Sequence, residues 1–362
     1  MKLAERYRRY VDLSVGVLLA LIIAALLGQT GRSGAADLAP LIVGPRTLPI
    51  PTGEVSPEMQ VIIAVKPATS LLPLVKTGEE TRVLADKYAV VAIKNIPDLL
   101  TRLNLTMTAA TIDGVRVHII TPQNIPAENQ RRVLLHFHGG CYVLAPGAAG
   151  TIEGILMAGL GHYKVISVDY RMPPEAYFPA ALDDSVTVYR NVIKTTPPKR
   201  VAVFGLSAGG ALTLEAMLKA KQLNLPMPAA IGVGTPMADA TKVGDSFYIN
   251  EGIDNLQVSR DGFCDAATVI YAHGHALNDP LISPIYGDMR GFPPAILTTG
   301  TRDLLLSNTV RTHRKLRRSG VEADLNVYEG QSHANWARDV SIPETREAFG
   351  EIAAFFDKHL AK

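Results

Sequence analysis

One segment of the chain, residues 201–221, constrains the fold more than any other. It begins with the apolar run Val201 to Phe204, continues as Gly205-Leu206-Ser207-Ala208-Gly209, and ends in a helix-length stretch from Ala211 to Lys221. A strand that turns through small residues into a helix is the setting of a GxSxG nucleophile, because that serine adopts a strained backbone conformation. The segment therefore predicts Ser207 as a nucleophile at the carboxyl end of a buried strand.

Short apolar runs and helix-length segments alternate along most of the chain. This alternation predicts an α/β fold, with a mostly parallel central sheet and helices on both faces. Such sheets carry their working loops at the carboxyl ends of the strands. The predicted strands are Val115 to Ile120, Val133 to Phe137, Val165 to Asp169, Val201 to Phe204, Ala295 to Thr299 and Ala323 to Tyr328. The predicted helices are Ala180 to Ile193, Ala208 to Gln222, Ser307 to Ser319 and Glu344 to Leu360.

Three segments depart from this alternation. Thr77 to Leu105 carries apolar residues at helical spacing, which predicts one or two amphipathic helices before the first strand. Asp239 to Pro284 is long and punctuated by Gly and Asp, which indicates an insertion over the sheet. Asp37 to Pro73 is rich in Pro, Gly and Leu and is expected to be an irregular arm.

A nucleophilic serine requires a base that takes its proton and a carboxylate that orients the base. After a GxSxG turn, the acid and then the histidine follow along the chain. Asp303 and His333 each come just past a predicted strand, so both are expected at the same sheet edge as Ser207. The alternative for Asp303 is a simple helix N-cap. Cys141 is a weak alternative nucleophile, since no turn of this type surrounds it.

The residues His138-Gly139-Gly140 directly follow the predicted strand Val133 to Phe137. Backbone without Cβ atoms can come close to a substrate. The N–H groups of Gly139, Gly140 and Ala208 are therefore predicted to stabilise the negative oxygen that forms during acyl transfer. A plain glycine turn is the alternative.

The N-terminus has the pattern of a targeting segment. Four basic residues, Lys2, Arg6, Arg8 and Arg9, precede the apolar run Val15 to Leu27, and small and polar residues follow. This pattern predicts a signal peptide that is cleaved near Ala35 or Ala36, and hence a periplasmic or secreted protein. Residues 11–28 approach the roughly 20 residues that span a bilayer, so an uncleaved membrane anchor is the alternative, and a buried helix is the third reading.

Charge and cysteine content argue against several classes of protein. The 362-residue chain has a formal net charge of +2 and no dense basic run beyond the N-terminus, so no nucleic-acid partner is expected. Cys141 and Cys264 are too few for a disulfide framework and lack metal-ligand spacing, so each is expected to be a free thiol. No metal or organic cofactor is expected.

From Val115 to the C-terminus, the chain resembles the hormone-sensitive-lipase-like family of α/β-hydrolase esterases, bacterial family IV. The family's HGGGxxxG loop corresponds to His138 to Ala145, its DYRLAPExPFPAAL segment to Asp169 to Leu182, and its GDSAGG turn to Gly205 to Gly210. Departures from the family pattern are Cys141 and Ala145 in place of glycines, Leu206 in place of an acidic residue, and Leu304 to Leu306 after Asp303. These departures bear on substrate preference and remove no catalytic group.

The resemblance implies an α/β-hydrolase fold with a helical cap, formed by N-terminal helices and the insertion. It implies a triad of Ser207, Asp303 and His333, and oxyanion donors from Gly139, Gly140 and Ala208. It also implies that three charged residues brace the loop beneath the oxyanion hole: Asp169, Arg171 and Glu175. The expected organisation is a signal peptide or anchor over 1–36, an arm and cap helices over 37–110, and a catalytic domain over 111–362 with a cap insertion at about 239–284.

These features together predict a carboxylic ester hydrolase that forms an acyl-enzyme on Ser207. By resemblance, the expected ligand is a small-molecule ester with a short- to medium-length chain. An amidase, lactonase or thioesterase with the same triad is the first alternative. A non-catalytic protein that binds a small molecule is a remote one.

Overall fold

The computed structural model describes residues 47–66 and 72–362 of the chain. Residues 1–36, for which the sequence predicts a signal peptide or an anchor through 11–28, lie outside the described residues, and those expectations stay predictions. Among the residues that are described, no helix has both the length and the apolar character to cross a bilayer.

A single sheet of eight strands forms the centre of the described structure. Its strands are β1 Leu105–Ile112, β2 Val115–Pro122, β3 Val133–Phe137, β4 Lys164–Val168, β5 Val201–Leu206, β6 Ala230–Gly234, β7 Ala295–Gly300 and β8 Ala323–Tyr328. They are arranged in the order β1-β2-β4-β3-β5-β6-β7-β8. The β2 strand is antiparallel to β1 and to β4, and every other neighbouring pair is parallel. The predicted mostly parallel sheet is confirmed.

The α-helices of the described residues are α1 Pro57–Ile63, α2 Gly78–Arg102, α3 Ile152–Gly161, α4 Ala180–Thr195, α5 Ala208–Gln222, α6 Ser246–Ile249, α7 Phe263–Ala272, α8 Leu306–Arg318 and α9 Pro343–His359. Short 3₁₀ turns occur at Ala127–Asn129, Gly147–Thr151, Pro198–Arg200 and Pro284–Tyr286. The predicted helices correspond to α4, α5, α8 and α9.

Apolar layers cover both faces of the sheet. On one face, side chains of α4, α5 and α8 pack with strand residues that include Val203. On the other face, α3 and α9 pack with residues that include Phe204. Successive side chains of a strand point to opposite faces, which is why the neighbouring residues Val203 and Phe204 lie in different layers. All six residues of β5 are buried, so Ser207 follows a strand that is enclosed on both sides.

The sequence prediction missed the strand β6. It has two glycines among its five residues, Gly232 and Gly234, and glycine lowers strand propensity. Packing against aromatic rings explains both. A Cβ atom on Gly232 would lie 2.9 Å from Phe356 Cζ, and one on Gly234 would lie 2.8 Å from the ring of Trp336. Large side chains from outside the sheet take up the space that strand side chains normally fill.

The sequence prediction also missed β1, which begins where the predicted N-terminal helical region ends. Its residues are mostly Thr and Ala, and several of them are exposed, so the strand has little apolar signal. β1 pairs with β2 along its whole length. The domain boundary expected at residue 110 falls inside this strand, so strand pairing crosses it.

Of the three segments that depart from the alternation, two have the expected helical character. The third, Asp37 to Pro73, was expected to be irregular, but its described part contains the seven-residue helix α1. Thr77 to Leu105 contains a single helix, α2, which has 25 residues and includes Pro97. Thr77 caps its N-terminus, because the Thr77 hydroxyl accepts a hydrogen bond from the backbone N–H of Glu80. The insertion between β6 and β7 contains the short helices α6 and α7.

Candidate active site

Ser207 occupies the turn between β5 and α5. Its backbone has φ 59° and ψ −120°, a conformation that costs energy for a residue with a side chain. The turn requires glycine on both sides of Ser207, because a Cβ atom on Gly205 or on Gly209 would overlap the carbonyl oxygen of Phe137. The Ser207 N–H donates to Gly234 O at 2.8 Å, which attaches the turn to β6. The predicted setting of the nucleophile, a strand followed by a tight turn and a helix, is confirmed.

Asp303 and His333 follow β7 and β8 at the same edge of the sheet. His333 Nδ1 lies 3.1 Å from Asp303 Oδ1, and both side chains are almost completely buried. Two threonines at the ends of β6 and β7 complete the environment of the carboxylate. Thr299 Oγ1 donates to Asp303 Oδ2 at 2.7 Å, and Thr235 Oγ1 donates to the same oxygen. The Asp303 carboxylate is therefore fixed in position.

The electrostatics of the pair favour an ionised acid and a basic imidazole. Burial alone would lower the pKa of His333, but the charge and hydrogen bond of Asp303 raise it above its ordinary value. Burial alone would raise the pKa of Asp303, but His333 and the Thr235 hydroxyl lower it. The hydrogen bond at Nδ1 leaves the Nε2 atom of His333 as the acceptor for a proton from another group.

Ser207 and His333 line the same cavity. In the part of the chain that the structure describes, no hydrogen bond joins Ser207 Oγ to His333 Nε2. Such bonds are commonly long without substrate and tighten when it binds. The structure thus brings all three predicted triad residues to one edge, with the acid and the base already in contact.

A second carboxylate, Asp254 of the insertion, lies next to the pair. Its Oδ2 accepts the backbone N–H groups of Leu304 at 2.8 Å and His333 at 3.2 Å. Its Oδ1 accepts those of Leu256 and Gln257 at 2.8 and 2.9 Å. Burial, and then the charge of Asp303, raise the pKa of Asp254. All four contacts use an oxygen as acceptor, so they favour the ionised form of Asp254. This carboxylate connects the insertion to the loops that contain Asp303 and His333.

The loop after β3 presents its backbone to the nucleophile. The Gly139 N–H donates to Glu153 Oε1 at 3.3 Å, so it is already engaged, which departs from the prediction that it is an oxyanion donor. The N–H groups of Gly140 and Cys141 have no hydrogen-bond partner within residues 47–66 and 72–362. Gly140 and Cys141 have φ values of 109° and 56°, and the first suits only glycine. Ala208 begins α5, where a helix leaves N–H groups unpaired.

Side chains beneath this loop hold it in place. Tyr170 Oη donates to the His138 carbonyl at 2.7 Å, and the two rings stack with centroids 4.1 Å apart. Asp169 Oδ1 accepts the N–H of Gly147 at 2.8 Å, just beyond the loop, and Asp169 Oδ2 accepts from Arg116 Nε at 2.7 Å. Asp169 therefore has the predicted bracing contacts.

The other two predicted bracing residues contact more distant partners. Arg171 forms a bidentate ion pair with Asp184 of α4, with Nη2 to Oδ1 at 2.7 Å. Glu175 forms an ion pair with Arg82 of α2. Arg171 thus attaches this segment to the helix layer, and Glu175 attaches it to the N-terminal helix.

Comparison with known proteins defines the family. A family model described as the α/β hydrolase fold matches residues 134–337, more than half of the chain. The chain belongs to the α/β-hydrolase fold family. Among similar solved structures, the esterase E25 is 43% identical, with a TM-score of 0.85, and the alignment covers 89% of this chain and 99% of that chain.

Two further likenesses fall within the same α/β-hydrolase family. A crystal structure of an esterase from the bacterial hormone-sensitive lipase family is 27% identical, with a TM-score of 0.72, and covers 84% of this chain and 99% of that chain. An esterase of Acinetobacter venetianus is 27% identical over 271 residues, which cover 73% of this chain and 88% of that protein. The expected α/β-hydrolase fold and the resemblance to hormone-sensitive-lipase-like esterases are confirmed.

The two cysteines of this α/β hydrolase are joined. Cys141, in the loop after β3, forms a disulfide with Cys264 of α7, with Cα atoms 5.2 Å apart. The prediction of two free thiols is wrong. The residues lie 123 positions apart, and the sequence did not reveal that the insertion folds onto this loop. The bond attaches the insertion covalently to the residue that carries one of the unpaired N–H groups.

The cavity at Ser207 has a volume of about 1020 Å³. Helix α2 contributes residues that include Tyr88 and Val91, and the insertion contributes residues that include Val258 and Phe263. Both segments expected to form a cap therefore line the cavity. Its lining also includes three residues that depart from the family motif: Cys141, Ala145 and Leu206.

Among residues 47–66 and 72–362, one group of side chains has the spacing of metal ligands. Ligand atoms of Asp254, Asp303 and His333 lie within 4.8 Å of one another. The Asp254 oxygens, however, accept four backbone N–H groups, and the Asp303 oxygens accept from two threonines and from the backbone. The oxygens of both carboxylates thus act as acceptors in a hydrogen-bond network around His333, which is a different use of these atoms from binding a metal ion.

Sequence reasoning missed several of these residues for different reasons. Thr235 follows β6, so the rule that site residues follow strand ends would have found it if that strand had been identified. Asp254 lies inside the insertion, where no strand end indicates it. The contact of Glu153 with the Gly139 N–H depends on the direction of a backbone group, which a motif does not define.

Proposed function

We propose that this serine carboxylesterase hydrolyses short- to medium-chain esters through Ser207, His333 and Asp303. The observation that carries the proposal is the pairing of His333 with Asp303 beside a serine in a strained turn, with serine and histidine in one cavity. Ester hydrolysis by the similar esterases agrees with this arrangement.

The first step is acylation of Ser207. His333 Nε2 takes the proton of the Ser207 hydroxyl while Oγ attacks the ester carbonyl, and Asp303 stabilises the imidazolium that forms. The imidazolium then gives the proton to the leaving alcohol. In the second step, His333 takes a proton from water, and the oxygen of this water attacks the acyl carbon. The bond between that carbon and Ser207 Oγ then breaks, the imidazolium returns its proton to Oγ, and the acid leaves.

The oxyanion that forms in each step needs backbone donors. We assign the N–H groups of Gly140, Cys141 and Ala208, because these are unpaired and the Gly139 N–H donates to Glu153. Removing one such donor costs about 10²- to 10³-fold in kcat in other enzymes. The two loop donors belong to successive residues with positive φ, 109° at Gly140 and 56° at Cys141.

The cavity supports the proposed chain length. Its volume of about 1020 Å³ lies at the upper end of the range of small-molecule sites, roughly 300–1,000 Å³. Helix α2 and the insertion supply apolar side chains to it, which favours aliphatic groups. The cavity therefore has enough volume for short- and medium-length acyl chains.

Replacement of Ser207 tests the mechanism. We expect Ser207→Ala to lower kcat on p-nitrophenyl butyrate by about 10⁴-fold or more. A fluorophosphonate probe should label wild type on the peptide that contains Ser207, and should leave the variant unlabelled. Ser319→Ala, at the end of α8, serves as the matched control. Full activity of Ser207→Ala, or labelling at another residue, would contradict the triad.

The same experiment separates the alternatives. A panel of matched ethyl esters, anilides, thioesters and lactones should show the highest kcat/KM for the ester. Preference for an anilide, a thioester or a lactone would instead indicate an amidase, a thioesterase or a lactonase with this triad. A folded protein that neither labels nor turns over any of them would be a binding protein.

We also propose that residues 1–36 direct export, with cleavage near Ala35 or Ala36, or anchor the chain through residues 11–28. The disulfide between Cys141 and Cys264 supports an oxidising compartment, because such bonds are rare in the cytosol. Mass spectrometry of the N-terminus after cell fractionation tests this. A full-length protein in the cytosolic fraction would contradict both forms of the proposal.

A further inference from the structure

Most charged side chains that line the cavity have a charged or titratable partner. Such pairing is expected, because a buried or half-buried charge without a partner is costly. The pairs are Arg102 with Asp98 and Asp339, Asp261 with Lys242, and Glu153 with His136. These side chains have little capacity left to bind a charged substrate.

Arg338 is the exception. It lies in the loop that contains His333, and it lines the cavity with its side chain accessible. Its Nη2 donates to Asn335 Oδ1 at 2.9 Å, and no carboxylate of the described chain forms an ion pair with it. A guanidinium has five N–H donors, so most of the donors of Arg338 are available to a ligand.

Asn335 positions this guanidinium. It is completely buried, and its Nδ2 donates to Asn255 Oδ1 of the insertion at 3.3 Å. The amide thus joins the histidine loop, the insertion and Arg338. Because one side of the guanidinium is held, less side-chain entropy is lost when a ligand binds the other side.

The charge of Arg338 acts close to the catalytic histidine. Burial lowers the pKa of Arg338, and its positive charge lowers the pKa of His333. Arginine remains protonated in proteins, so the cavity has a solvent-accessible positive charge with no carboxylate partner among the described residues. The charge of Asp254 also acts on Arg338, but backbone N–H groups already occupy the Asp254 oxygens.

We propose that Arg338 binds a carboxylate group of the substrate, so that the preferred substrates are esters that carry a second, ionised carboxyl group. This inference rests on the proposed ester hydrolysis at Ser207. One unpaired positive charge among the described lining residues matches a monoanion. Guanidinium and carboxylate also fit each other with two parallel hydrogen bonds.

Paired substrates test this proposal and locate the carboxylate. Monoethyl adipate against ethyl hexanoate places the charge on the acyl side, and 4-carboxyphenyl butyrate against phenyl butyrate places it on the alcohol side. Each pair is measured with wild type, Arg338→Met and Arg338→Lys. Arg290→Met, at an exposed arginine that pairs with Asp288, makes the same change of net charge elsewhere.

We expect Arg338→Met to raise KM and lower kcat/KM by about 10- to 100-fold for the carboxylate ester of at least one pair. At a pH where His333 is neutral in both proteins, we expect the neutral esters to lose less than the carboxylate esters, because they form no ion pair with Arg338. Arg338→Lys should recover part of the loss, because it keeps the charge but not the planar fork. Arg290→Met should leave all ratios unchanged. The pair that responds identifies the side of the ester that Arg338 contacts.

Equal losses on charged and neutral esters, or none on either pair, would overturn the proposal, since a structural role would affect both members alike. Binding measured without turnover separates this outcome from failure of the catalytic assignment. In the Ser207→Ala background, the carboxylate ester of the pair that responds, monoethyl adipate or 4-carboxyphenyl butyrate, should bind at least about tenfold more weakly when Arg338→Met is added. An unchanged Kd there would also overturn the proposal.

Discussion

The sheet edge and the cap hold their side chains in different ways. At the sheet edge, Asp303, His333 and Ser207 follow the carboxyl ends of strands and have only 0%, 2% and 4% of their surface exposed. In the cap helix α2, by contrast, Val90 and Val91 are 71% and 67% exposed. Strand backbones fix the reacting groups, whereas a few cross-links attach the cap. Changes at the edge should therefore alter kcat, and changes in the cap should alter stability and KM.

The largest effect is expected at the sheet edge. Asp303→Asn should lower kcat by about 10⁴-fold, because an amide that faces Nδ1 favours the wrong tautomer of His333. KM should change little, since Asp303 does not line the cavity. Steady-state kinetics on p-nitrophenyl butyrate measure both, with Asp324→Asn, an exposed residue of β8, as the control. If Asp303→Asn kept kcat within about tenfold of wild type, changes at the sheet edge would not control kcat as proposed.

The next effect is expected at the covalent link of the cap. Cys264→Ser should lower the free energy of unfolding by about 2–4 kcal/mol, as is typical when a disulfide is removed. It should also raise KM, because the loop with Cys141 loses its attachment to α7. Guanidinium unfolding and kinetics measure these changes. A thiol reductant should reproduce them in wild type and have no further effect on the variant. A loss confined to kcat would place the disulfide with the catalytic groups instead.

A smaller effect is expected at Asp254, which joins the two regions. Asp254→Asn should cost about 1–3 kcal/mol of stability, because an amide turns N–H groups toward backbone donors. It also removes a charge that raises the pKa of His333. His333 must be neutral to act as a base, so a lower pKa moves the acidic limb of the kcat/KM profile to lower pH. A pH–rate profile measures this, and a limb that stays in place or moves to higher pH would contradict it.

The predicted triad residues that the structure brings to one sheet edge share one property: local patterns specify their positions. Ser207 lies in a motif whose strand and helix are adjacent in the chain, and Asp303 and His333 each follow an apolar strand. The parallel sheet brings these three strand ends to one edge, so local patterns are sufficient to assemble the triad.

What the sequence did not predict depends on contacts between distant segments. The glycines of β6 show no strand pattern until Phe356 and Trp336 pack against them. The disulfide requires the insertion to fold onto the loop after β3. Arg338 has an ordinary sequence context, and it stands out only because the structure shows which charges around the cavity are already paired.

The smallest effect is expected at the ion pair between α2 and the segment that follows β4. The side chains of Arg82 and Glu175 are 44% and 54% exposed, and water screens such pairs strongly. Arg82→Gln should therefore shift the thermal midpoint by no more than about 2 °C and leave kcat/KM on a neutral ester unchanged. A double-mutant cycle with Glu175→Gln isolates the interaction from other effects of each change. A coupling free energy as large as the effect of Cys264→Ser would mean that ion pairs, rather than the disulfide, hold the cap. The attachment of the cap would then weaken as the salt concentration rises.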